Sequence, residues 1–213
     1  MLKDVLYDWN GGNLWLFHAI NDVRGEAVDR FMLLGTNLGN HGHFPLYLAA
    51  AVTVTLIVVG RAVRDERGSG PGLGLAWLGA LAVFSLGYVA DGALLAWIKP
   101  FLDFPRPPLA LGPGNLHILG APEFHHSLPS GHASFAMLVG MSLWPVAGKA
   151  TRPVLATFVL WVGLSRVSVG AHFPADIVAA WLSCALIVWV IRALVYRALQ
   201  LKSRSPQPIT EIP

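Results

Sequence analysis

Long stretches without a charged side chain dominate the chain. No Asp, Glu, Lys or Arg occurs from Phe31 to Gly60 or from Ser69 to Ala90. Three shorter uncharged apolar runs follow, at 133–148, 153–165 and 177–191. A helix needs about 20 mostly apolar residues to cross a bilayer, so the first two runs suffice alone and the last three must borrow flanking residues. The pattern predicts membrane-spanning helices at about 44–63, 73–98, 132–148, 153–168 and 176–198.

Residues 12–38 follow a different pattern, in which charged side chains interrupt the apolar ones. These charges are Asp22, Arg24, Glu26, Asp29 and Arg30. Two short amphipathic helices along the membrane surface, with a break near Asn21–Gly25, fit this pattern better than a spanning helix. A sixth span within this segment is the alternative. We therefore expect an all-α integral membrane bundle of five to six transmembrane helices, preceded by amphipathic N-terminal helices.

Composition agrees with a membrane protein. Hydrophobic residues make up 54% of the 213 residues and charged residues only 13%, whereas a soluble domain carries about 25% charged residues. A soluble all-α protein is the alternative, but the five apolar runs fill most of the chain. We expect one membrane domain at 1–201, whose residues 1–43 form the interfacial helices, and a disordered cytoplasmic tail at 202–213.

Basic residues predict the orientation of the bundle. If the five helices cross the membrane in alternating directions, nine of the fifteen Lys and Arg residues lie on one side of the membrane. These are Arg61, Arg64, Arg67, Lys149, Arg152, Arg192, Arg197, Lys202 and Arg204. Because short cytoplasmic loops are enriched in Lys and Arg, we place this side in the cytoplasm. The loops at 99–131 and 166–175 then face outward.

The segment 99–131 holds seven of the fifteen prolines, so we expect a stiff, irregular connection rather than a helix. It opens with the sequence KPFLDFPRPP, which sets Lys99 and Arg106 as two cations near the membrane surface. Snorkelling of basic side chains to the interface would by itself explain both cations.

The sequence PSGH at residues 129–132 stands directly before the third predicted span. Gly131 lets the backbone come close to a ligand, and the free N–H groups of the helix start, with the Ser130 hydroxyl, are suited to an oxyanion. A plain helix cap by Ser130, with His132 paired to a neighbour, is an equally good interpretation of these residues alone.

A third polar cluster, in the sequence SRVSVGAHFPADI, contains Arg166, His172 and Asp176. His172 and Asp176 are four positions apart and can share a face if the turn is helical. A carboxylate beside an imidazole fixes the tautomer of the imidazole and supports its positive charge. The alternative is a structural ion pair at a helix start.

All three clusters fall on the same side of the membrane, under an orientation derived from other residues. They supply three cations, a helix start with a hydroxyl, and two histidines, one of which has an acid nearby. That set is suited to phosphoryl transfer. Cations and N–H groups can hold the phosphate oxygens, one histidine can attack phosphorus, and the other can protonate the leaving oxygen.

On these motifs the chain resembles the type 2 phosphatidic acid phosphatase family, the membrane lipid phosphate phosphatases, which share a site with vanadium haloperoxidases. The family pattern is K-x6-RP, then PSGH, then SR-x5-H-x3-D. Every position and spacing is matched, by Lys99 with Arg106–Pro107, by Pro129–His132, and by Ser165–Arg166 with His172 and Asp176. The resemblance covers roughly residues 28–198.

The resemblance implies a catalytic mechanism through phosphohistidine. It implies that His172 is the nucleophile, that Asp176 orients it, and that His132 is the general acid. The phosphate-binding groups that it implies are Lys99, Arg106, Ser130, the Gly131 amide and Arg166. We expect no metal, no cofactor and no nucleic-acid partner, and the sequence predicts no particular oligomeric state.

The resemblance favours a metal-independent lipid phosphatase that acts on a phosphate or pyrophosphate headgroup. The compact chain is similar to bacterial members that dephosphorylate undecaprenyl pyrophosphate, and phosphatidylglycerol phosphate, phosphatidic acid and lipid A phosphates are further candidates. We expect a bacterial inner-membrane protein in contact with membrane lipids, whose site faces the periplasm or cell exterior. The alternatives are a lipid-to-lipid phosphotransferase and a non-catalytic transporter with a charged substrate path.

Four other positions have two interpretations each. Asp91 is either a buried partner of a motif cation or the acceptor of a structural hydrogen bond. His125 and His126 either line the opening of the site or are solvated. His41 is expected near the outer interface, and a zinc site built from such histidines lacks any compact ligand spacing.

Overall fold

The computed structural model describes residues 7–64, 71–112 and 114–203. These residues form helices, turns and loops without a β-strand, so the predicted all-α fold is confirmed. Their α-helices, in chain order, are α1 (Gly12–Asn21), α2 (Glu26–Leu38), α3 (Phe44–Arg64), α4 (Pro71–Leu102), α5 (Pro107–Leu111), α6 (Gly131–Leu143), α7 (Thr151–Ser168) and α8 (Pro174–Ser203).

Three stretches of the described chain are long and apolar enough to cross a membrane: His41–Arg64, Gly72–Leu111 and Pro174–Leu199. Helix α6 is also apolar but has only 13 residues, or about 20 Å of helix, which is shorter than the roughly 30 Å hydrocarbon core. The structure therefore supports an integral membrane protein, while the number of five to six spans stays a prediction.

Several helix boundaries differ from the predicted ones, and prolines explain two of the differences. Helix α6 ends at Leu143 rather than near 148, because Pro145 has no N–H with which to continue the backbone hydrogen bonds of the helix. The expectation of an irregular segment from residue 99 onward is wrong at its start. Helix α4 continues to Leu102, and Pro107 begins the short helix α5, where its fixed φ suits the first helical position.

The two N-terminal helices form as the charge pattern predicts, with their break at residues 22–25. Both pack onto the bundle. Helix α2 lies against α7, and α1 contacts α7 and α8. Phe17 of α1 is fully buried among residues that include Val167, Phe173 and Ile177. Their position along the membrane surface stays a prediction.

Two asparagines of α1 bind the residues on either side of the connection between α7 and α8. The Asn21 amide nitrogen donates to the backbone oxygens of Ser168 (2.9 Å) and His117 (3.0 Å). The Asn13 side-chain oxygen accepts the Ala175 N–H at 2.9 Å. Both side chains are buried, so these bonds are shielded from water and fix the connection firmly.

The central core lies between α4, α6 and α8. Its buried members are Val83, Phe84, Phe135, Leu138, Val139, Cys184 and Val188. Gly87 permits a close approach of α4 and α6, because a β-carbon there would lie 2.6 Å from Leu138 Cδ1. Outward-facing leucines such as Leu56 and Leu182 are each 67% exposed, as a lipid-facing surface requires.

Part of the predicted tail is helical, since α8 continues to Ser203. The remainder of that tail, 204–213, and the predicted cytoplasmic residue Arg67 lie outside the described residues.

Candidate functional site

A cavity of about 380 Å³ lies where the ends of several helices meet. Its polar walls come from His41, Lys99, Arg106, Glu123, Gly131, His132, Arg166 and His172. Lys99 lies near the end of α4 and Arg166 near the end of α7, whereas His132 lies at the start of α6. Consecutive long helices therefore run in alternate directions, and the three polar clusters of the sequence meet at one end of the bundle.

His172 lies in the connection between α7 and α8, where its side chain is almost completely buried. Its Nδ1 is 3.3 Å from Asp176 Oδ2. The two residues do not share a helical face, which corrects the expectation from their spacing, because α8 begins only at Pro174. The Asp176 carboxylate instead folds back over the helix start and accepts the Phe173 N–H at 2.9 Å.

Two residues outside the recognised motifs hold Asp176. The Ser127 hydroxyl donates to Asp176 Oδ2 at 2.5 Å and lies 3.3 Å from His172 Nδ1. The Tyr7 hydroxyl donates to Asp176 Oδ1 at 3.0 Å. Burial, and then the negative charge of Asp176 and this hydrogen bond, raise the pKa of Tyr7 far above its ordinary value, so Tyr7 stays a donor.

The other ring nitrogen of His172, Nε2, lies 3.2 Å from Arg106 Nη1. A guanidinium group has only donors, so Nε2 accepts this hydrogen bond and the ring proton resides on Nδ1, toward the acid. Burial lowers the pKa of His172 well below its usual range, and the positive charges of the surrounding Arg and Lys side chains lower it further. At neutral pH His172 is therefore a neutral imidazole whose Nε2 carries a lone pair.

Arg106 is buried and held by the protein backbone. Its Nε donates to the His125 carbonyl oxygen at 2.9 Å and its Nη1 to the Ala171 carbonyl oxygen at 3.3 Å. Its Nη2 forms an ion pair with Glu123 Oε2 at 2.6 Å. Because the side chain lines the cavity instead of extending to the interface, snorkelling does not explain this cation.

Arg166 and Lys99 supply the other two cations of the cavity. Arg166 is buried, and its Nη1 donates to Thr36 Oγ1 at 3.5 Å. Its Nε finds no hydrogen-bond partner among the residues that the structure describes. The arrangement concentrates positive charge where little water can screen it, which suits a multiply charged anion.

The PSGH sequence places a free hydroxyl next to the cavity. Ser130 precedes the first residue of α6, yet its side chain forms no capping bond. Its Oγ is buried and has no partner within the described part of the chain, so a plain helix cap is not its role. The backbone N–H of Ser130 donates to the Asp176 carbonyl oxygen at 3.1 Å, which ties the start of α6 to that of α8.

His41 is a cavity residue that the sequence placed only near the outer interface. It lies in the short turn before α3, and its ring is 6.2 Å from that of His132, measured between centroids. A β-carbon on Gly131 would lie 2.7 Å from His41 Cε1. Gly131 is therefore needed for the packing of this histidine, as well as for any approach of a ligand.

The remaining polar residues have structural partners. Asp91 accepts a hydrogen bond from Ser134 Oγ at 2.6 Å, which favours the structural interpretation of this buried acid. His125 and His126 lie on the surface, with their Nδ1 atoms 3.3 Å and 3.1 Å from Asp103 Oδ1. Neither histidine lines the cavity.

Comparison with known protein families agrees with these motifs. The family model described as the PAP2 superfamily matches residues 76–200, more than half of the chain. This chain belongs to the PAP2 superfamily. The resemblance inferred from the K-x6-RP, PSGH and SR-x5-H-x3-D motifs is thereby confirmed.

Named relatives of this PAP2 protein include phosphatases. It is 29% identical over 156 residues to the lipid A 1-phosphatase of Rhizobium johnstonii, which covers 62% of this chain and 57% of that protein. It is 38% identical over 79 residues to human glucose-6-phosphatase 3, covering 30% of this chain and 22% of that protein. The PAP2 protein thus spans just over half the length of the first relative and about a fifth of the second.

Two solved structures share the fold. The crystal structure of Aquifex aeolicus LpxE superposes with a TM-score of 0.64 at 22% identity, over 87% of this chain and 94% of that one. A transmembrane PAP2-type phosphatidylglycerolphosphate phosphatase from Bacillus subtilis gives 0.57 at 17% identity, over 90% and 88%. At these identities the likeness establishes the helical architecture alone.

Proposed function

We propose that this PAP2 protein is a membrane lipid phosphatase that works through a phosphohistidine on His172. The observation that carries the proposal is the contact between Arg106 Nη1 and His172 Nε2 at 3.2 Å. This contact places the lone pair of a neutral His172 imidazole against one cation. Two further cations, Lys99 and Arg166, line the same cavity. A nucleophile surrounded by groups that bind phosphate oxygens is what phosphoryl transfer requires.

The proposed roles follow from this geometry. Asp176 orients His172 and stabilises the proton on Nδ1 when positive charge develops on the ring during attack. His132, across the same cavity, is the proposed general acid. The proposed groups that bind the phosphate oxygens are Lys99, Arg106, Ser130, the Gly131 amide and Arg166.

The reaction proceeds in two steps. In the first, His172 Nε2 forms a bond to phosphorus, the bond from phosphorus to the leaving oxygen breaks, and His132 gives that oxygen a proton. In the second, water attacks the phosphohistidine and gives a proton to His132, and the phosphorus–nitrogen bond breaks to release inorganic phosphate. Together, the two steps return His172 and His132 to their starting forms.

The charge of the transferred group is balanced by side chains of the chain itself. Three basic residues line the cavity, and negative charge on the phosphoryl oxygens is stabilised by Arg and Lys as it is elsewhere by a divalent ion. We therefore propose a metal-independent reaction without a cofactor.

The proposed substrate is a lipid with a phosphate or pyrophosphate headgroup, foremost undecaprenyl pyrophosphate, phosphatidylglycerol phosphate or phosphatidic acid. The names of two relatives support a lipid phosphate, since one is a lipid A 1-phosphatase and the other a phosphatidylglycerolphosphate phosphatase. We place residues 1–201 in one membrane domain, in a bacterial inner membrane, with the cavity facing the periplasm or cell exterior.

A panel of lipids tests this function. Purified full-length protein in detergent is incubated with undecaprenyl pyrophosphate, phosphatidylglycerol phosphate, phosphatidic acid and a lipid A 1-phosphate, and the released inorganic phosphate is measured. Release from at least one lipid by the native protein, and none by His172→Ala, is expected. Transfer of the phosphoryl group to an added lipid alcohol instead of water would identify a phosphotransferase, and no turnover of any lipid would favour a transporter.

A further inference from the structure

Glu123 brings a negative charge into a cavity whose other charged walls are positive. Its Oε2 lies 2.6 Å from Arg106 Nη2. The other two guanidinium nitrogens of Arg106 are bonded to backbone oxygens and to His172. Nη2 is therefore the nitrogen with most freedom to receive a phosphoryl oxygen, and the carboxylate of Glu123 already holds it.

Glu123 is not required to fix Arg106 in place. Two carbonyl oxygens anchor the guanidinium group, and the Arg106 side chain is only 7% exposed. The Glu123 side chain is 59% exposed and lies on the connection between α5 and α6. An ion pair with such an exposed partner contributes little to stability, so the position of this carboxylate needs another explanation.

The Glu123 carboxylate also has a neighbouring cavity into which it could move. A second cavity of about 290 Å³ adjoins the first, and its lining includes Glu123, Arg166, Thr36 and residues 118–122. Glu123 and Arg166 thus stand between the two cavities. A rotation of the Glu123 side chain would move its negative charge away from Arg106 without unfolding the segment that carries it.

We infer that Glu123 is a displaceable competitor anion. Its carboxylate is pushed off Arg106 Nη2 by the incoming phosphoryl group, and it returns to that nitrogen as inorganic phosphate leaves. It thereby limits the affinity of the cavity for phosphate and prevents the three cations from retaining the product. This inference rests on the proposed function, since it takes a phosphoryl group as the ligand of the cavity.

Binding of inorganic phosphate to Glu123→Gln tests the inference. The dissociation constant of phosphate is measured by calorimetry on full-length protein in detergent, and its inhibition constant is measured against nitrophenyl phosphate hydrolysis. Removing one negative charge beside the ligand should tighten both constants by about tenfold. The KM of nitrophenyl phosphate should fall in the same direction, and Glu123→Ala should behave in the same way as Glu123→Gln.

Asp103→Asn is the matched control. Asp103 is an exposed acid of the same outer segment, but it contacts His125 and His126 rather than Arg106. Its backbone φ of 40° is one that asparagine also adopts. This variant removes the same charge from the same side of the molecule. Its phosphate affinity should stay within about twofold of that of the native protein, because the Asp103 carboxylate does not contact Arg106 and cannot compete for its Nη2.

Three results would overturn the inference. Unchanged phosphate affinity in Glu123→Gln would mean that the carboxylate does not compete. Weaker binding would mean that it orients Arg106. Equal tightening in Asp103→Asn would mean that only the overall charge matters. A native protein that neither binds phosphate nor hydrolyses any substrate would be a failure of the proposed function itself.

Discussion

Nε2 of His172 and Nη1 of Arg106 lie 3.2 Å apart, so the atom proposed to attack phosphorus is hydrogen-bonded to a cation proposed to bind its oxygens. The guanidinium group must exchange this bond for one to a phosphoryl oxygen before attack. Because the same planar group serves both partners, its fixed geometry guides phosphorus toward the lone pair. This relationship leads to the first two predictions.

The nucleophile can be trapped. Rapid quenching of turnover with radiolabelled phosphate substrate should leave label on His172, as a phosphorus–nitrogen bond that is labile to acid and stable to alkali. His172→Ala should retain no label and should lose activity by about 10⁴-fold or more. Label on Ser130, or label that persists in His172→Ala, would contradict the assignment.

The pH dependence of kcat/KM should show that the pKa of His172 is lowered. Only the neutral imidazole attacks, and burial and the nearby positive charges hold its pKa well below 6.5. As the pH falls, the acidic limb of kcat/KM, which reports the free enzyme, should therefore appear well below pH 6.5. Burial, and then the positive charge of Arg166, lower the pKa of His132 to about 2, so its proton depends on the negative charge of a bound phosphate group. The alkaline limb of kcat should report loss of that proton from the enzyme–substrate complex.

Removing one cation tests whether His172 controls the acidic limb. Arg166→Gln takes away a positive charge that lowers the pKa of His172. Protonation of His172 then becomes easier, so the acidic limb should move to higher pH while the activity falls. An acidic limb near pH 6.5 in the native protein, unchanged in Arg166→Gln, would mean that another group controls it.

The two histidines should respond differently to the leaving group. Removing His132 deletes only the protonation of the leaving oxygen, which typically contributes about 10²–10⁴-fold. A poor leaving group such as the alkoxide of phosphatidic acid needs that proton, whereas nitrophenolate does not. We expect nitrophenyl phosphate to restore part of the activity of His132→Ala and none of that of His172→Ala. Equal losses on both substrates would indicate that His132 binds phosphate.

Tyr7 should act as a positioning residue through its 3.0 Å hydrogen bond to Asp176. Tyr7→Phe keeps the packing against Phe104 and Phe173 and removes only the donor. Since a hydrogen bond to a charged group contributes about 1.5–3 kcal/mol, kcat should fall by roughly tenfold or more with KM unchanged.

Tyr47→Phe is the control for Tyr7→Phe. The Tyr47 hydroxyl donates to the Leu38 carbonyl oxygen at 3.0 Å, and the residue does not line the cavity. Tyr47→Phe should lower the melting temperature, because it also removes one hydrogen bond, and it should leave kcat as it is. If both variants had the same kcat, Tyr7 would have a structural role alone.

Removal of metal ions should leave the enzyme active. Lys99, Arg106 and Arg166 are the proposed partners of the phosphoryl charge, so phosphate release should continue at a similar rate with EDTA present. Complete loss of activity in EDTA, restored only when Mg²⁺ or Zn²⁺ binds to the protein, would show that these side chains are not sufficient.

The residues that meet in the cavity could be predicted from the sequence because most lie at helix ends. A charged residue or a glycine at the end of an apolar run lies at one end of the helical bundle. Helices that alternate in direction bring such ends together. Lys99, His132 and Arg166 follow this rule. The spacings within the three motifs then indicated which other residues, such as Arg106 and His172, would join them in the cavity.

Other residues could not be predicted because their partners are distant in sequence. Tyr7 and Asp176 are separated by 169 positions, and no periodicity or spacing joins them. Glu123 lies in an irregular segment and His41 in a short turn, and no motif spacing relates either residue to the cavity. The true start of α8 was missed for a local reason, since Pro174 sets the helix boundary between His172 and Asp176 and so changes how they meet.

Hydrogen bonds join Asn13 to the start of α8 and Asn21 to the end of α7, and they have a consequence for protein engineering. The PAP2 family match begins at residue 76, yet both asparagines, together with Tyr7, precede it and hold the segment that carries His172 and Asp176. The smallest segment that could be transferred to another protein is therefore longer than the segment that the family match covers. Chimeras that join the N-terminal helices of one relative to the bundle of another would need matched sequences where these helices contact the ends of α7 and α8.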